Sequence, residues 1–146
     1  MKRILLIEDN GDLSYDINEK LKNYGFEIKQ ADSFLSAMGM WKRYKGEFDC
    51  IILDLNINPE GLSPHDSSKY FPCCSIPFML EIGWGIKDDL GKPKFNPNIK
   101  VVVYSGYVNE LRTVCLQYNI PFSDMVIYEK SGTNFSELVK YIKESI

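Results

Sequence analysis

Three short stretches constrain this chain more than anything else in it: "RILLI" (3–7), "CIIL" (50–53) and "VVVY" (101–104) are almost unbroken apolar runs. A strand with one wet face alternates apolar and polar residues, whereas a strand covered on both faces has no need to. Runs of this kind belong in a parallel sheet with helices on both sides. "FEIKQA" (26–31) and "MVIY" (125–128) supply two more strands. Helical spacing separates them. Leu13, Ile17 and Leu21 recur every fourth residue, and Phe34, Ala37, Met38 and Trp41 repeat as i, i+3, i+4, i+7 behind Asp32 and Ser33, either of which suits an N-cap. Near the end, Asn134 and Glu137 have capping-box spacing ahead of Phe135, Leu138, Val139 and Ile142. Strand and helix in alternation, joined by right-handed crossovers, predict an α/β doubly wound five-stranded parallel sheet whose ligands lie beyond the carboxyl ends of the strands.

Length and charge narrow the setting. The 146 residues suit one domain, residues 1–146, with 45 % hydrophobic and 25 % charged residues, which is too apolar for a disordered chain. A net charge of −3 without long like-charge runs gives no footprint for direct nucleic-acid binding or an anionic membrane. No apolar stretch approaches the roughly 20 residues of a bilayer span, and "MKRILLIEDN" turns acidic too early for a signal peptide, so a cytoplasmic protein is expected. The four cysteines, Cys50, Cys73, Cys74 and Cys115, have no CxxC spacing and are expected as small buried hydrophobes. Cys73 and Cys74 with His65 lack the usual ligand gap, which argues against zinc.

One interval breaks the rhythm. From Asp54 to Ser105 the chain is much longer than the roughly 30 residues of a simple βαβ unit. Residues 58–98 hold six of the seven prolines, so no long helix fills them. Their Phe, Trp, Met and Ile content predicts a packed insertion after the third strand, with a short hairpin or irregular helix around "FMLEIGWGI".

The residues that close the apolar runs form one polar set. Glu8 and Asp9 follow the first run, Asp54 the third, Ser105 the fourth and Lys130 the fifth. In a doubly wound sheet these positions share one edge. Carboxylates about 4 Å apart repel by about 4 kcal/mol at an effective dielectric of 20, so three of them require a cation. Oxygens from Asp9, Asp54 and a backbone carbonyl suit octahedral Mg²⁺ (Mg2+), and Lys130 adds positive charge.

With "IEDN", "LDLNI", "YSG" and "YEK" in this order, the sequence resembles the receiver domain of two-component response regulators, of the CheY-like superfamily, across nearly the whole chain. The resemblance implies a flavodoxin-like receiver fold with an enlarged connection between the third and fourth strands. It implies Asp54 as phosphoacceptor and Glu8 and Asp9 as the acidic pair that organises Mg²⁺. It also implies the Asn56 backbone carbonyl as a further metal ligand, Ser105 as switch hydroxyl and Lys130 as the phosphoryl-contacting ammonium. Gly106 and Tyr107 would flank the phosphoryl group. There Gly106 would allow close backbone approach, and Tyr107 would shield the acyl phosphate from water. A carboxylate nucleophile that forms an acyl phosphate needs positioning and charge neutralisation, which a divalent ion and an ammonium provide.

Expected partners are a sensor histidine kinase or phosphotransfer protein and a downstream protein target, in a phosphorelay or as a free-standing receiver without an output domain. Such a module accepts a phosphoryl group and is not a dedicated enzyme. Ser131 stands where the family usually has proline, which predicts a trans Lys130–Ser131 bond and a reshaped loop. Ile127 stands where an aromatic reporter is usual. These departures sustain an alternative, a phosphorylation-independent pseudo-receiver acting as an interaction module. A haloacid-dehalogenase-type phosphotransferase is disfavoured because Asn56 replaces the second Asp that it needs. Within the insertion, Phe71, Phe78 and Trp84 would either form a docking or self-association surface or cover the sheet.

Overall fold

Five strands hydrogen-bond in the order β2-β1-β3-β4-β5, every neighbouring pair parallel. The computed structural model describes residues 1–121 and 125–146. In chain order the elements are β1 (Arg3–Ile7), α1 (Gly11–Lys22), β2 (Glu27–Ala31), α2 (Phe34–Arg43), β3 (Cys50–Leu53), α3 (Pro64–Tyr70), α4 (Ile76–Glu81), β4 (Lys100–Ser105), α5 (Val108–Gln117), β5 (Val126–Glu129) and α6 (Gly132–Ser145). All five strand runs read from the sequence are strands.

The apolar runs are unbroken because alternate residues serve two cores. Leu5, Ile7, Ile51, Leu53, Val101 and Val103 pack with Ala37 of α2, residues between β3 and β4, and Leu111 and Val114 of α5. Ile4, Leu6, Ile52 and Val102 pack on the other side with Ile17 and Leu21 of α1 and Leu138, Val139 and Ile142 of α6. Both faces are covered, as a parallel sheet requires. All four cysteines are buried free thiols. Among the described residues no helix is long and apolar enough to cross a membrane.

Helix starts follow side-chain caps. Asn10 Oδ1 accepts from the Asp12 and Leu13 amides at the start of α1. Of the two candidates before α2, Ser33 is the cap and pairs reciprocally with Ser36. The capping box expected at Asn134 and Glu137 is not formed. Ser131 instead accepts from the Asn134 amide at 3.3 Å, and α6 therefore begins earlier, at Gly132. An extended serine already stood three residues ahead of Asn134, and the Asn134 side chain is used to donate to the Glu129 carbonyl at 2.8 Å.

The stretch from β3 to β4 contains two short helices, each with proline in its first turn, where the missing N–H is harmless. The "FMLEIGWGI" region is α4 followed by a glycine-rich turn. A narrow hairpin follows, with Lys87 and Pro93 as an antiparallel bridge. Trp84, 7 % exposed, and Phe78, fully buried, belong to the core beneath the sheet, with Trp41 edge-on to Phe78 and stacked on Phe95. Of the three aromatics expected here as either dock or cover, these two are cover. Phe71 is 66 % exposed and is not part of that cover.

Candidate functional site

The sheet ladder continues one residue beyond its strands and so aligns the polar set. The Glu8 amide donates to Ala31 O, the Asp54 amide to Ile7 O and the Lys130 amide to Ser105 O, each at 2.9–3.0 Å. With Ile7 opposite Leu53 and Ser105 opposite Glu129, register alone brings Glu8, Asp54, Ser105 and Lys130 to one edge. Asp9 follows Glu8 and its amide donates to the Glu8 carboxylate at 3.1 Å.

At the centre of the edge the Lys130 ammonium lies 2.6 Å from Glu8 Oε1 and 3.2 Å from Asp54 Oδ2. Glu8 and Asp54 are only 4 % and 5 % exposed, while Asp9 is open to solvent. Oxygens of Glu8, Asp9 and Asp54 all lie within 4.8 Å of one another, the one such cluster of acids, cysteines or histidines among the described residues. Asp54 Oδ1 is buried and accepts no hydrogen bond from any described residue.

Three carboxylates against one ammonium leave an excess of negative charge. Burial, followed by the neighbouring Asp54, pushes the Glu8 carboxyl up to about 8 against the pull of Lys130. Partial burial and then Asp54 likewise raise Asp9. For Lys130 burial pulls downward, but its contacts with Glu8 and Asp54 outweigh it and hold the ammonium above its ordinary value. Lys130 therefore stays charged, and the acids hold a surplus that only a proton or another cation relieves. All-oxygen donors, one buried oxygen without a partner and this unbalanced charge fit a hard divalent ion such as Mg²⁺. Asp9, Asp54 and Glu8 are the residues able to hold it.

The other expected residues gather beside this cluster. Ser105 is fully buried, and its hydroxyl accepts from the Leu55 amide at 3.4 Å and the Tyr107 amide at 3.2 Å. Tyr107 is the residue before α5 and 37 % exposed, with no side-chain cap bond. Asn56 is half-buried two residues past Asp54, and its carbonyl accepts no hydrogen bond from a described residue. A Cβ at Gly106 would meet no protein atom within 4 Å, so packing within the protein does not demand glycine there. The Lys130–Ser131 bond is trans, the one cis peptide among the described residues being Phe71–Pro72.

Sequence reasoning missed the Leu55 peptide. Its N–H reaches Ser105, and its carbonyl accepts from the Ser75 amide at 3.1 Å, which ties the β3–β4 connection to the acidic edge. Backbone bonds of this sort leave no residue-type signal.

This is the doubly wound α/β class, with an acidic cluster and a lysine at the carboxyl edge of the sheet. More particularly, the fold is that of response-regulator receiver domains. The response regulator TrrA of Thermotoga maritima, solved in complex with Mg²⁺-BeF, aligns over 100 % of both chains at TM-score 0.59 and 22 % identity. The non-phosphorylated HemR receiver domain of Leptospira biflexa aligns over 100 % of this chain and 97 % of its own at TM-score 0.63 and 15 % identity. Vibrio cholerae CheY4 covers 99 % of its length at TM-score 0.61 and 14 % identity, with all of this chain aligned. No family model and no curated relative matches the sequence. A de novo designed Rossmann 2x3 protein also aligns, at TM-score 0.55, so the shared fold by itself specifies no chemistry.

Proposed function

We propose that this chain is a phosphoacceptor receiver of a two-component or phosphorelay system, phosphorylated on Asp54. The observation that carries the reading is the Lys130 ammonium held between Glu8 and Asp54, with Asp9 completing an all-oxygen cluster. Lys130 occupies Asp54 Oδ2 and leaves Oδ1 with its lone pairs uncommitted. That oxygen attacks phosphorus as the bond from phosphorus to the donor breaks, and the electron pair leaves with the donor, an imidazole of phosphohistidine or the carboxylate of a small acyl phosphate. Bound Mg²⁺ supplies neutralisation of the phosphoryl oxygens. Glu8, Asp9 and Asp54 would hold that ion, with the Asn56 carbonyl as a further ligand. Lys130 offsets charge on the oxygens that face it, without moving a proton.

Ser105 carries the signal outward. Its hydroxyl oxygen takes the Leu55 and Tyr107 amides in the unmodified site, so turning the hydroxyl toward a phosphoryl oxygen withdraws an acceptor from both loops. The Leu55 peptide passes the change to Ser75 and the β3–β4 connection. Tyr107 screens the product from water. The chain works in the cytoplasm as a signalling module whose partners are a histidine kinase or phosphotransfer protein and a downstream target. It is a binding switch rather than an enzyme.

Incubation with acetyl phosphate and Mg²⁺, followed by intact mass spectrometry, tests the assignment. The expected result is gain of one phosphoryl group, lost in Asp54→Asn and on chelation of the metal. An unchanged mass would favour the phosphorylation-independent pseudo-receiver.

A further inference from the structure

The end of β4 away from Ser105 borders a second feature, a cleft of about 590 Å³. At about 3.3 Å per residue, the strand from Lys100 to Ser105 sets it roughly 16 Å from the acidic edge. Its volume falls within the range of about 300–1,000 Å³ usual for small-molecule sites. Trp84, Phe95, Ile99 and Val101, each between 5 % and 8 % exposed, form its inner wall, and Tyr141 of α6 borders it from the other side.

The wall is fixed before any ligand arrives. Gly83 and Gly85 have φ of 94° and 75°, and a Cβ on Gly85 would come within 3.0 Å of the Pro121 ring. Beyond them the hairpin is closed by the Lys94 amide on Ile86 O and the Asp88 amide on Lys92 O, both at 2.8 Å. The Asp88 carboxylate is itself turned inward to the hairpin, accepting from the Leu90 and Lys92 amides at 2.9 Å. A turn held by its own backbone loses little freedom on binding.

Charge selects the occupant. Lys87 and Lys100 line the cleft, both exposed, and neither forms an ion pair with a described residue. Among the described residues no carboxylate lines it. Aromatic walls favour a flat ring, and two ammonium groups at the mouth favour an anion on that ring.

We propose that this cleft binds a planar aromatic anion, the ring against Trp84 and Tyr141 and the charged group between Lys87 and Lys100. The site is independent of the chemistry at Asp54, and its test requires no phosphorylation.

Amide and indole NMR spectra of the full chain, titrated with naphthalene-2-sulfonate and with uncharged naphthalene-2-methanol, separate ring from charge. Saturable shifts are expected at the Trp84 indole, Ile86, Lys87, Lys100 and Val101, with the sulfonate bound roughly tenfold tighter than the alcohol, as two partly exposed ion pairs provide. The double substitution Lys87→Glu and Lys100→Glu should remove that advantage and leave the alcohol unaffected. Should the double variant fold poorly, added salt applied to the unaltered chain must weaken the sulfonate alone. Absence of saturable shifts, shifts spread over the molecule, or equal affinity for the two probes would overturn the proposal.

Discussion

The carboxyl edge of the sheet and the β3–β4 connection each bury an oxygen without a hydrogen-bond partner among the described residues, Asp54 Oδ1 in one and Ser75 Oγ in the other. Their surroundings differ in kind. Around Asp54 stand Glu8, Asp9 and one ammonium, too few positive charges for the acids present. Around Ser75 the structure is balanced: its amide donates to Leu55 O, its neighbours Cys74 and Ile76 are buried, and Phe78 fills the core one turn on. An unpartnered carboxylate among other acids suits a cation, whereas an unpartnered hydroxyl in tight packing is a tolerated defect. Stability measurements should separate the two regions.

The largest effect belongs to the connection. Phe78→Ala should cost about 4 kcal/mol, because a fully buried aromatic leaves a cavity under the sheet. Urea denaturation reads that loss, and Mg²⁺ affinity of the folded fraction should be unaltered.

Next comes the edge. Lys130→Ala should destabilise the metal-free protein by about 3 kcal/mol, since Glu8 and Asp54 would be left buried without the ammonium that pairs with both. Unlike the Phe78 variant, this one should recover part of its stability on addition of Mg²⁺. Failure to recover would put the two regions on the same footing.

The third test is pH. Glu8 has an ordinary value of 4.5 and about 8 in the folded state, from burial and then Asp54, so the folded protein binds more protons than the unfolded chain between those values. Metal-free stability should therefore fall as pH rises through this window, by at most about 1.4 kcal/mol per pH unit. Glu8→Gln should flatten the profile, as should saturating Mg²⁺. Thermal melts at a series of pH values distinguish these cases.

Smallest of all, Ser75→Ala should change stability by no more than about 0.5 kcal/mol, because the hydroxyl removed had no partner to lose. A loss comparable to that of Lys130→Ala would mean that the connection, too, relies on polar contacts.

The contrast also explains what was legible beforehand. "RILLI", "CIIL" and "VVVY" announce their strands because burial on both faces removes polar alternation, and the residues ending those runs could then be placed on one edge by topology. Topology carries Glu8, Asp9, Asp54 and Ser105, and Lys130 after the fifth strand, to that edge in the structure as in the sequence. Helix α6 starts earlier than its Asn134–Glu137 pattern implied, since Ser131 competes for the cap and its spacing to Asn134 satisfies the same geometry. The connection was readable only as a stretch that packs. Prolines and glycines cut it into pieces too short to show a period, so that burial of Phe78 and Trp84 and exposure of Phe71 depend on contacts distant in sequence. The bonds from the Leu55 peptide to Ser105 and Ser75 are long-range, one of them backbone to backbone, and no pattern of residue types encodes them.

Isothermal titration of the metal-free chain with Mg²⁺, repeated on Asp9→Asn and on Ser75→Ala, asks most directly whether the acidic edge is short of positive charge. One ion should bind per chain, much more weakly or not at all once Asp9 is neutral, and with unchanged affinity in the Ser75 variant. No measurable heat of binding at millimolar Mg²⁺, or equal affinity with and without the Asp9 charge, would contradict it.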